Sequence, residues 1–161
     1  VIDKMLKIIS FGDSRIFVIR AGEIVETNQE GYIANLCPQQ VGTQETSKEP
    51  SAIAQYRDFE LEEDDIILTC SDGVTDNLYP DEILKVIKDK LNVEQNNLQE
   101  VCNTLLVKVK QTAFDNYCVT PYVEKVNEIS SSFIQGGKFD DISICISKVL
   151  LNKENGVEET A

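Results

Sequence analysis

Three aspartate sites are the best candidates for chemistry in this sequence, because each lies beside a strand end or in a glycine-containing turn. Asp13 occurs in FGDSR, Asp72 in CSDG, and Asp140 and Asp141 follow one another in GGKFDDIS. The hard cations Mg²⁺ and Mn²⁺ prefer carboxylate oxygen, and a sheet can direct several strand-end carboxylates into one cleft. The alternative is that each aspartate only bonds the backbone of its own turn. Taken together, the three sites predict a partly hydrated metal site with oxygen ligands.

The composition restricts the partners that the chain can have. Its 161 residues include 15 basic and 28 acidic side chains, and the net charge of −13 disfavours nucleic acid and anionic membranes. No apolar run approaches the roughly 18 residues that span a bilayer. The five cysteines form no CxxC pair and there is no histidine, so an ordinary zinc site is not expected. We therefore predict one folded, soluble, intracellular unit with reduced thiols.

The first third of the chain is predicted to be β-sheet. Residues 4–11 and 16–19 are apolar, β-branched runs separated by GDSR, which predicts a hairpin. An Ala-Gly turn then adds residues 23–26 as a further strand of an antiparallel meander. Between residues 28 and 56 the sequence becomes rich in Gly, Pro, Gln, Ser and Thr, which predicts a surface loop without regular structure.

The remainder is predicted to contain a buried strand followed by helices. The acidic run ELEEDD at 60–65 is interpreted as a solvated turn rather than a second metal site. It leads into IILTC at 66–70, a short apolar run that is typical of a central strand. Proline followed by acidic residues, and apolar residues spaced by three and four, predict the helices. These helices cover about 80–91, 97–114 and 121–130, the last within an irregular stretch at 115–139, and a half-buried strand covers 142–147.

The order and surroundings of these motifs resemble the type 2C family of metal-dependent serine/threonine protein phosphatases. That family has GDSR between two strands, a later strand ending in SDG, and a last strand entered through Asp-Asn or Asp-Asp. The segments DDIILTCSDGVTDNL, AFDNYCVTPY and GGKFDDISI are closest to the branch of the mitochondrial matrix phosphatases and more distantly resemble the sporulation phosphatases. The resemblance implies an α+β fold of four layers, in which two antiparallel sheets pack face to face between helices.

The resemblance also implies a role for each candidate residue in a site that holds two Mg²⁺ or Mn²⁺ ions. Asp72 matches the second metal aspartate of the family, Asp140 matches the last one, and Asp13 matches an aspartate of an additional, weaker metal position. Asp141 replaces the asparagine of many members and is implied to support the ligands, and Gly73 leaves the backbone beside Asp72 open. Two ions about 3.5–4 Å apart activate water in such a site, so no protein nucleophile is needed.

The sequence departs from the family in its first metal segment. An Asp-Gly-x-Gly-Gly stretch, whose aspartate bridges both ions, is absent, as are the arginine that grips phosphate and any histidine proton donor. Arg15 is interpreted as a structural or ion-pairing residue. Residues 1–150 are therefore predicted to be the C-terminal part of a type 2C catalytic domain that is inactive alone. Residues 151–161 are predicted to be a disordered acidic tail.

Three hypotheses follow for the function. In the first, a longer parent protein hydrolyses phosphoserine and phosphothreonine in phosphoprotein substrates, in an intracellular compartment that is mitochondrial by resemblance. In the second, the parent is a pseudophosphatase that uses the sandwich as a protein-binding module. An Asp-Gly segment upstream in the parent would favour the first over the second. In the third, the chain is an unrelated acidic α/β interaction domain, which would show no selective response to Mn²⁺.

Overall fold

The computed structural model describes residues 1, 4–34, 36–42, 49–91 and 97–151. The predicted tail at 151–161 lies outside the described residues, apart from Leu151. None of the helices found in these ranges is both long and apolar enough to cross a membrane. The strands are β1 (Met5–Ser10), β2 (Arg15–Arg20), β3 (Glu23–Thr27), β4 (Tyr32–Ala34), β5 (Cys37–Pro38), β6 (Gln55–Glu60), β7 (Ile66–Cys70) and β8 (Ile144–Lys148). The helices are α1 (Pro50–Ile53), α2 (Asp72–Thr75), α3 (Pro80–Leu91), α4 (Leu98–Ala113) and α5 (Pro121–Ser130).

A four-stranded antiparallel sheet with the order β3-β2-β7-β8 forms the centre of the fold. As predicted, β7 is a central strand, and its residues Leu68 and Cys70 are buried. The register pairs Cys70 with Arg15 of β2 on one side and with Ile144 of β8 on the other. The start of β2, the end of β7 and the start of β8 therefore meet at one edge of the sheet. The three predicted aspartate sites all adjoin this edge.

Helices α3 and α4 cover one face of this sheet and close the hydrophobic core. Their buried side chains pack against the alternating inward residues of β2 and β7. Asn97 caps the start of α4, because its side chain accepts a hydrogen bond from the N–H of Glu100. Thr120 caps α5 in the same way through the N–H of Val123. The core includes Phe17, Ile19, Ile66, Leu68, Ile83, Ile87, Val101, Leu105 and Val109.

The predicted hairpin between residues 4–11 and 16–19 is wrong. β1 pairs with β6 in a separate two-stranded antiparallel sheet, while β2 pairs with β3 and β7. The GDSR segment therefore passes from one sheet to the other instead of joining neighbouring strands. Strand β6 has the sequence QYRDFE, and its exposed Arg57 and Asp58 hide the strand pattern. Mixed α+β structure with antiparallel sheets flanked by helices confirms the predicted fold class.

The long segment at 28–56 also contains more structure than predicted. The ribbon of β4 and β5, the short helix α1 and the first residues of β6 lie within it, while residues 35 and 43–48 lie outside the described part of the chain. The predictions for α3, α4, α5 and the last strand are confirmed to within two residues or fewer at each end. These elements carry strong local signals, whereas the ribbon has only short strands.

The acidic run at 60–65 is only partly the solvated turn that we predicted. The side chains of Glu62 and Asp64 are mostly exposed, but that of Asp65 is completely buried. Arg20 of β2 donates two hydrogen bonds of 2.8 Å to the Asp65 carboxylate, and the N–H of Glu62 donates a third. Burial alone would raise the pKa of Asp65, but these hydrogen bonds hold it below its usual range. Asp65 therefore fixes the turn before β7 instead of facing water.

Candidate metal centre

Three carboxylates converge at the edge of the sheet where β7 ends. Oxygen atoms of Asp72, Asp76 and Asp140 all lie within 4.8 Å of one another. Asp72 begins α2, and the N–H of Asp76 donates a 2.7 Å hydrogen bond to its carbonyl oxygen, so the two side chains are one helical turn apart. Asp140 lies in the segment that leads into β8. The structure thus brings together two of the three predicted metal aspartates and adds one, Asp76.

The ammonium group of Lys138 lies among these three carboxylates. Its Nζ atom is 2.9 Å from Oδ2 of Asp72, 2.6 Å from Oδ2 of Asp76 and 2.8 Å from Oδ2 of Asp140. It also lies 5.1 Å from the centre of the Tyr122 ring, a cation–π contact. Three carboxylates thus surround a single ammonium group.

The SDG turn is tied directly to the segment that carries Asp140. The Ser71 hydroxyl donates a 2.7 Å hydrogen bond to the carbonyl oxygen of Asp141 and accepts one from the N–H of Ser143. A Cβ atom added at Gly73 would lie 2.5 Å from the Asp141 carbonyl oxygen, so only glycine permits this approach. The N–H of Asp141 also donates to Oδ1 of Asp140. Asp141 therefore acts on the cluster through its backbone.

Asn77 fixes the backbone of Lys138 relative to the same turn. Its side chain is buried, accepts a 2.9 Å hydrogen bond from the N–H of Lys138, and donates one of 2.8 Å to the carbonyl oxygen of Lys138. The same amide also donates to the carbonyl oxygen of Gly73. One buried side chain thus connects α2 with the Gly-Gly-Lys segment.

Asp13 lies at the margin of the cluster and is not one of the three converging carboxylates. It lines a cavity of about 140 Å³ together with Asp72, Asp76, Lys125 and Lys138. Burial and then the charge of Asp72 raise the pKa of Asp13. The cavity is therefore acidic, with two lysines on its wall.

The Glu30 carboxylate forms ion pairs with both Lys125 and Arg15. Lys125 Nζ lies 2.8 Å from Oε2 of Glu30, and Arg15 Nη1 lies 3.2 Å from Oε1 of the same carboxylate. Arg15 also donates to the Thr27 hydroxyl and lies 5.3 Å from the centre of the Phe17 ring. These contacts agree with the ion-pairing role that we predicted for Arg15.

The ionisation of the cluster follows from burial and from Lys138. Burial raises the pKa of Asp76, and the Lys138 ammonium offsets part of that increase. The hydrogen bond from Lys138 lowers the pKa of Asp140. Burial acts against the charge on Lys138, but hydrogen bonds to the three carboxylates raise its pKa above the ordinary value. Lys138 is therefore a charged ammonium at neutral pH.

The sequence did not predict a role at the site for three residues, Asp76, Asn77 and Lys138. All three lie within the segments that resemble the phosphatase family. The spacing of Asp72 and Asp76 by four residues places two carboxylates on one side of a helical turn, provided that a turn begins at Asp72. Helix α2 has only four residues, which is too short a pattern to predict a helix from the sequence. No local signal indicates that Lys138 lies among carboxylates.

Comparison with known proteins assigns the family. A family model described as Stage II sporulation protein E (SpoIIE) matches residues 2–150. The probable protein phosphatase 2C BIPP2C1 of Oryza sativa is 29% identical over 146 residues, which are 91% of this chain and 25% of the relative. The chain belongs to the SpoIIE family of type 2C phosphatases. This confirms the family that the motifs predicted.

A second relative is similar over most of this chain. The PTC7 homolog of Homo sapiens is 27% identical over 147 residues, which cover 87% of this chain and 48% of the relative. The chain thus spans between about a quarter and a half of the length of these type 2C relatives.

Solved type 2C phosphatases have the same fold. The photosystem II phosphatase PBCP superposes with a TM-score of 0.79 at 25% identity, over 91% of this chain and 60% of PBCP. The catalytic domain of the serine/threonine phosphatase PstP, solved in complex with 2 manganese ions, gives a TM-score of 0.50 at 17% identity, over 69% of this chain and 49% of PstP. At this identity PstP supports the fold alone.

Proposed function

We propose that this chain supplies part of the active site of a metal-dependent phosphatase that hydrolyses phosphoserine and phosphothreonine in proteins. The observation that carries the proposal is the convergence of Asp72, Asp76 and Asp140 within 4.8 Å at one sheet edge. Names of the relatives support the reaction class, since BIPP2C1 and the PTC7 homologs are described as protein phosphatases.

The donor set fits Mg²⁺ or Mn²⁺. All of its side-chain donors are carboxylate oxygens, which hard divalent cations prefer. Asp72 and Asp140 are about a quarter to a third exposed, so a partly hydrated ion has access, while Asp76 is nearly buried. The three negative charges already stabilise one cation, the Lys138 ammonium. Asp72, Asp76 and Asp140 would therefore hold the metal, and Asp13 would add a weaker position at the cavity margin.

Divalent ions in such a site lower the pKa of water and neutralise charge on the phosphoryl group. The residues of this chain orient the carboxylates. Ser71 joins the SDG turn to Asp141, and Gly73 lets the two backbones touch. The hydrogen bond from the N–H of Asp141 to Oδ1 leaves Oδ2 of Asp140 directed toward the cluster. Acidic side chains alone do not attract a phosphate dianion, so substrate binding depends on positive charge that the ions provide.

Residues 1–150 are, in this proposal, the C-terminal part of the catalytic domain, and the polar segment beyond them is a tail. Two considerations support this. The relatives are about two to four times longer than the matched region. The carboxylates found here approach the cluster from α2 and the β8 entry only, and two bound ions need ligands from more sides. We expect the isolated chain to be inactive for this reason.

The proposed substrate is a phosphoprotein in an intracellular compartment, mitochondrial by resemblance to the matrix phosphatases. The net charge of −13 supports a protein substrate over nucleic acid or an anionic membrane, because like charges repel. Fluorescence imaging of the tagged intact protein tests the compartment. Staining that stays outside mitochondria would contradict the finer assignment and leave the reaction class untouched.

Release of phosphate from a phosphoserine peptide tests the proposed reaction. The intact protein in Mn²⁺ is expected to turn over, and EDTA is expected to reduce the rate by at least about 10³-fold because the charge-neutralising ions are removed. Residues 1–150 alone should show less than about one thousandth of the intact rate.

Two outcomes contradict this account in different ways. An intact protein that is folded by circular dichroism but inactive in Mn²⁺ would favour the pseudophosphatase hypothesis. Full activity of residues 1–150 alone would show that the carboxylates of this chain are sufficient, and would overturn the proposal that the domain is incomplete.

A further inference from the structure

We propose that Lys138 is a built-in cation that occupies the carboxylate cluster when no metal is bound and must leave it when Mg²⁺ or Mn²⁺ binds. Lys138 would then set the metal concentration at which the site fills, and would stabilise the metal-free fold. This inference rests on the proposed function, because it concerns the same carboxylates. It assigns a role to a residue that is not one of the aspartates proposed to bind metal.

Lys138 contacts carboxylate oxygens that a metal ion at this site would need. Its Nζ atom lies 2.6–2.9 Å from the Oδ2 atoms of Asp72, Asp76 and Asp140. An ammonium at these distances and a divalent ion bound to the same oxygens would overlap and repel each other. The two cations are therefore alternative occupants of one position.

The backbone position of Lys138 is fixed by the fold. Asn77 binds both the N–H and the carbonyl oxygen of Lys138. The preceding glycines are packed against the chain after α4, where the N–H of Gly136 donates to Cys118 and the N–H of Gly137 donates to Asp115. A Cβ at Gly137 would lie only 2.1 Å from the carbonyl oxygen of Thr112, so the backbone before Lys138 is in close contact with the end of α4. With the backbone held in this way, rotation of the Lys138 side chain is the movement that would release the ammonium.

Leaving the three carboxylates without a cation would destabilise the fold. Asp76 is only 6% exposed, and its carboxylate lies 2.6 Å from the Lys138 ammonium and 3.9 Å from the Lys125 ammonium, so nearby cations stabilise its charge. Three carboxylates within 4.8 Å would otherwise repel one another. Lys138 contacts all three carboxylates, whereas Lys125 lies closer to Glu30, so Lys138 supplies most of the compensating charge without metal. A quarter of its side chain is exposed, which provides a path for it to swing into solvent.

This role predicts effects of opposite sign on two quantities. Without Lys138, the metal-free fold should be less stable, because the carboxylates lose their cation. Mn²⁺ should nevertheless bind more tightly, because it no longer displaces an ammonium. A residue that merely holds the site together would lower both quantities when removed.

The test compares Lys138→Met with wild type in the intact protein. Methionine has a similar length and no charge. Isothermal titration with Mn²⁺ should give a Kd lower by about 10-fold or more, in the range by which neighbouring groups modulate metal sites. Differential scanning calorimetry should give a lower Tm in EDTA, with the difference from wild type reduced at saturating Mn²⁺. Lys108→Met is the control, because Lys108 is paired with Glu82 and not with the three aspartates, and it should change neither quantity.

The outcomes separate this inference from the proposed function. Unchanged or weaker Mn²⁺ binding by Lys138→Met, with wild type binding normally, overturns the role of Lys138 alone. Failure of both proteins to bind Mn²⁺ overturns the proposed metal site and this inference with it. Should Lys138→Met not fold, a crystal structure of the wild-type protein loaded with Mg²⁺ decides. Lys138 released from at least two carboxylates supports the inference, and retention of all three contacts beside the metal overturns it.

Discussion

Replacing Asp72 by asparagine is expected to lower the Mn²⁺-dependent kcat/KM of the intact protein by about 10³-fold, and Asp140→Asn should have a similar effect. Asparagine keeps the shape of the side chain but removes the negative charge from a position where three carboxylates compensate one cation. A neutral amide oxygen is a much weaker ligand for a hard divalent ion, and a lost ion removes charge stabilisation from the transition state. Initial rates on a phosphoserine peptide at several Mn²⁺ concentrations measure the change.

Two further variants make this prediction specific. Asp64→Asn removes an aspartate that is 68% exposed and paired with Lys148 at the surface, so activity should remain within about twofold. Asp13→Asn should cost less than Asp72→Asn, because Asp13 lies at the cavity margin outside the group of three. If Asp72→Asn and Asp140→Asn retain normal rates and only lower stability, these residues are ordinary turn aspartates and the metal site is wrong.

The second large effect is expected from Gly73→Ala. The added Cβ would meet the carbonyl oxygen of Asp141 at 2.5 Å and the Cβ of Asp140 at 3.3 Å. Backbone atoms cannot yield as a flexible side chain can, so residues 140–141 must move and the bond from Ser71 to Asp141 must stretch. Displacing a ligand by about 1 Å can cost about 100-fold in rate. Strain of this kind typically costs about 1–3 kcal/mol in the free energy of unfolding.

Two measurements on the intact protein separate these consequences. Urea unfolding gives the free energy of unfolding, and Mn²⁺-dependent kcat/KM gives the effect on the site. Gly42→Ala is the matched control, because a Cβ there meets nothing within 4 Å, and it should leave both values close to wild type. Alanine is otherwise preferred to glycine within a helical turn. A Gly73→Ala protein with wild-type rate and stability would therefore show that the two segments are not as close as described.

The sequence predicts the local elements of this fold better than its long-range pairing. Helices α3, α4 and α5 were predicted nearly to the residue, because caps and apolar spacing are recorded within each segment. The partner of β1 was not predicted, because β6 begins 45 residues after β1 ends and carries exposed charges. A turn signal such as GDSR specifies a change of direction, and whether the chain stays in one sheet depends on the core.

The same distinction applies to the site. Asp72 and Asp140 follow from motifs, and the shared register of β2, β7 and β8 explains why motifs so far apart in sequence meet at one edge. Lys138 could not be placed, since its neighbours Asp72 and Asp76 are more than 60 residues away. The burial of Asp65 was likewise hidden, because Arg20, which compensates its charge, lies 45 residues before it.

Anomalous X-ray scattering from a crystal of the intact protein grown with Mn²⁺ tests the central claim most directly. We expect a manganese peak within coordination distance, about 2.0–2.3 Å, of carboxylate oxygens from Asp72 and Asp140, with Asp76 beside it. A well-ordered structure with this cluster intact, saturating Mn²⁺ and no manganese at these carboxylates would contradict it.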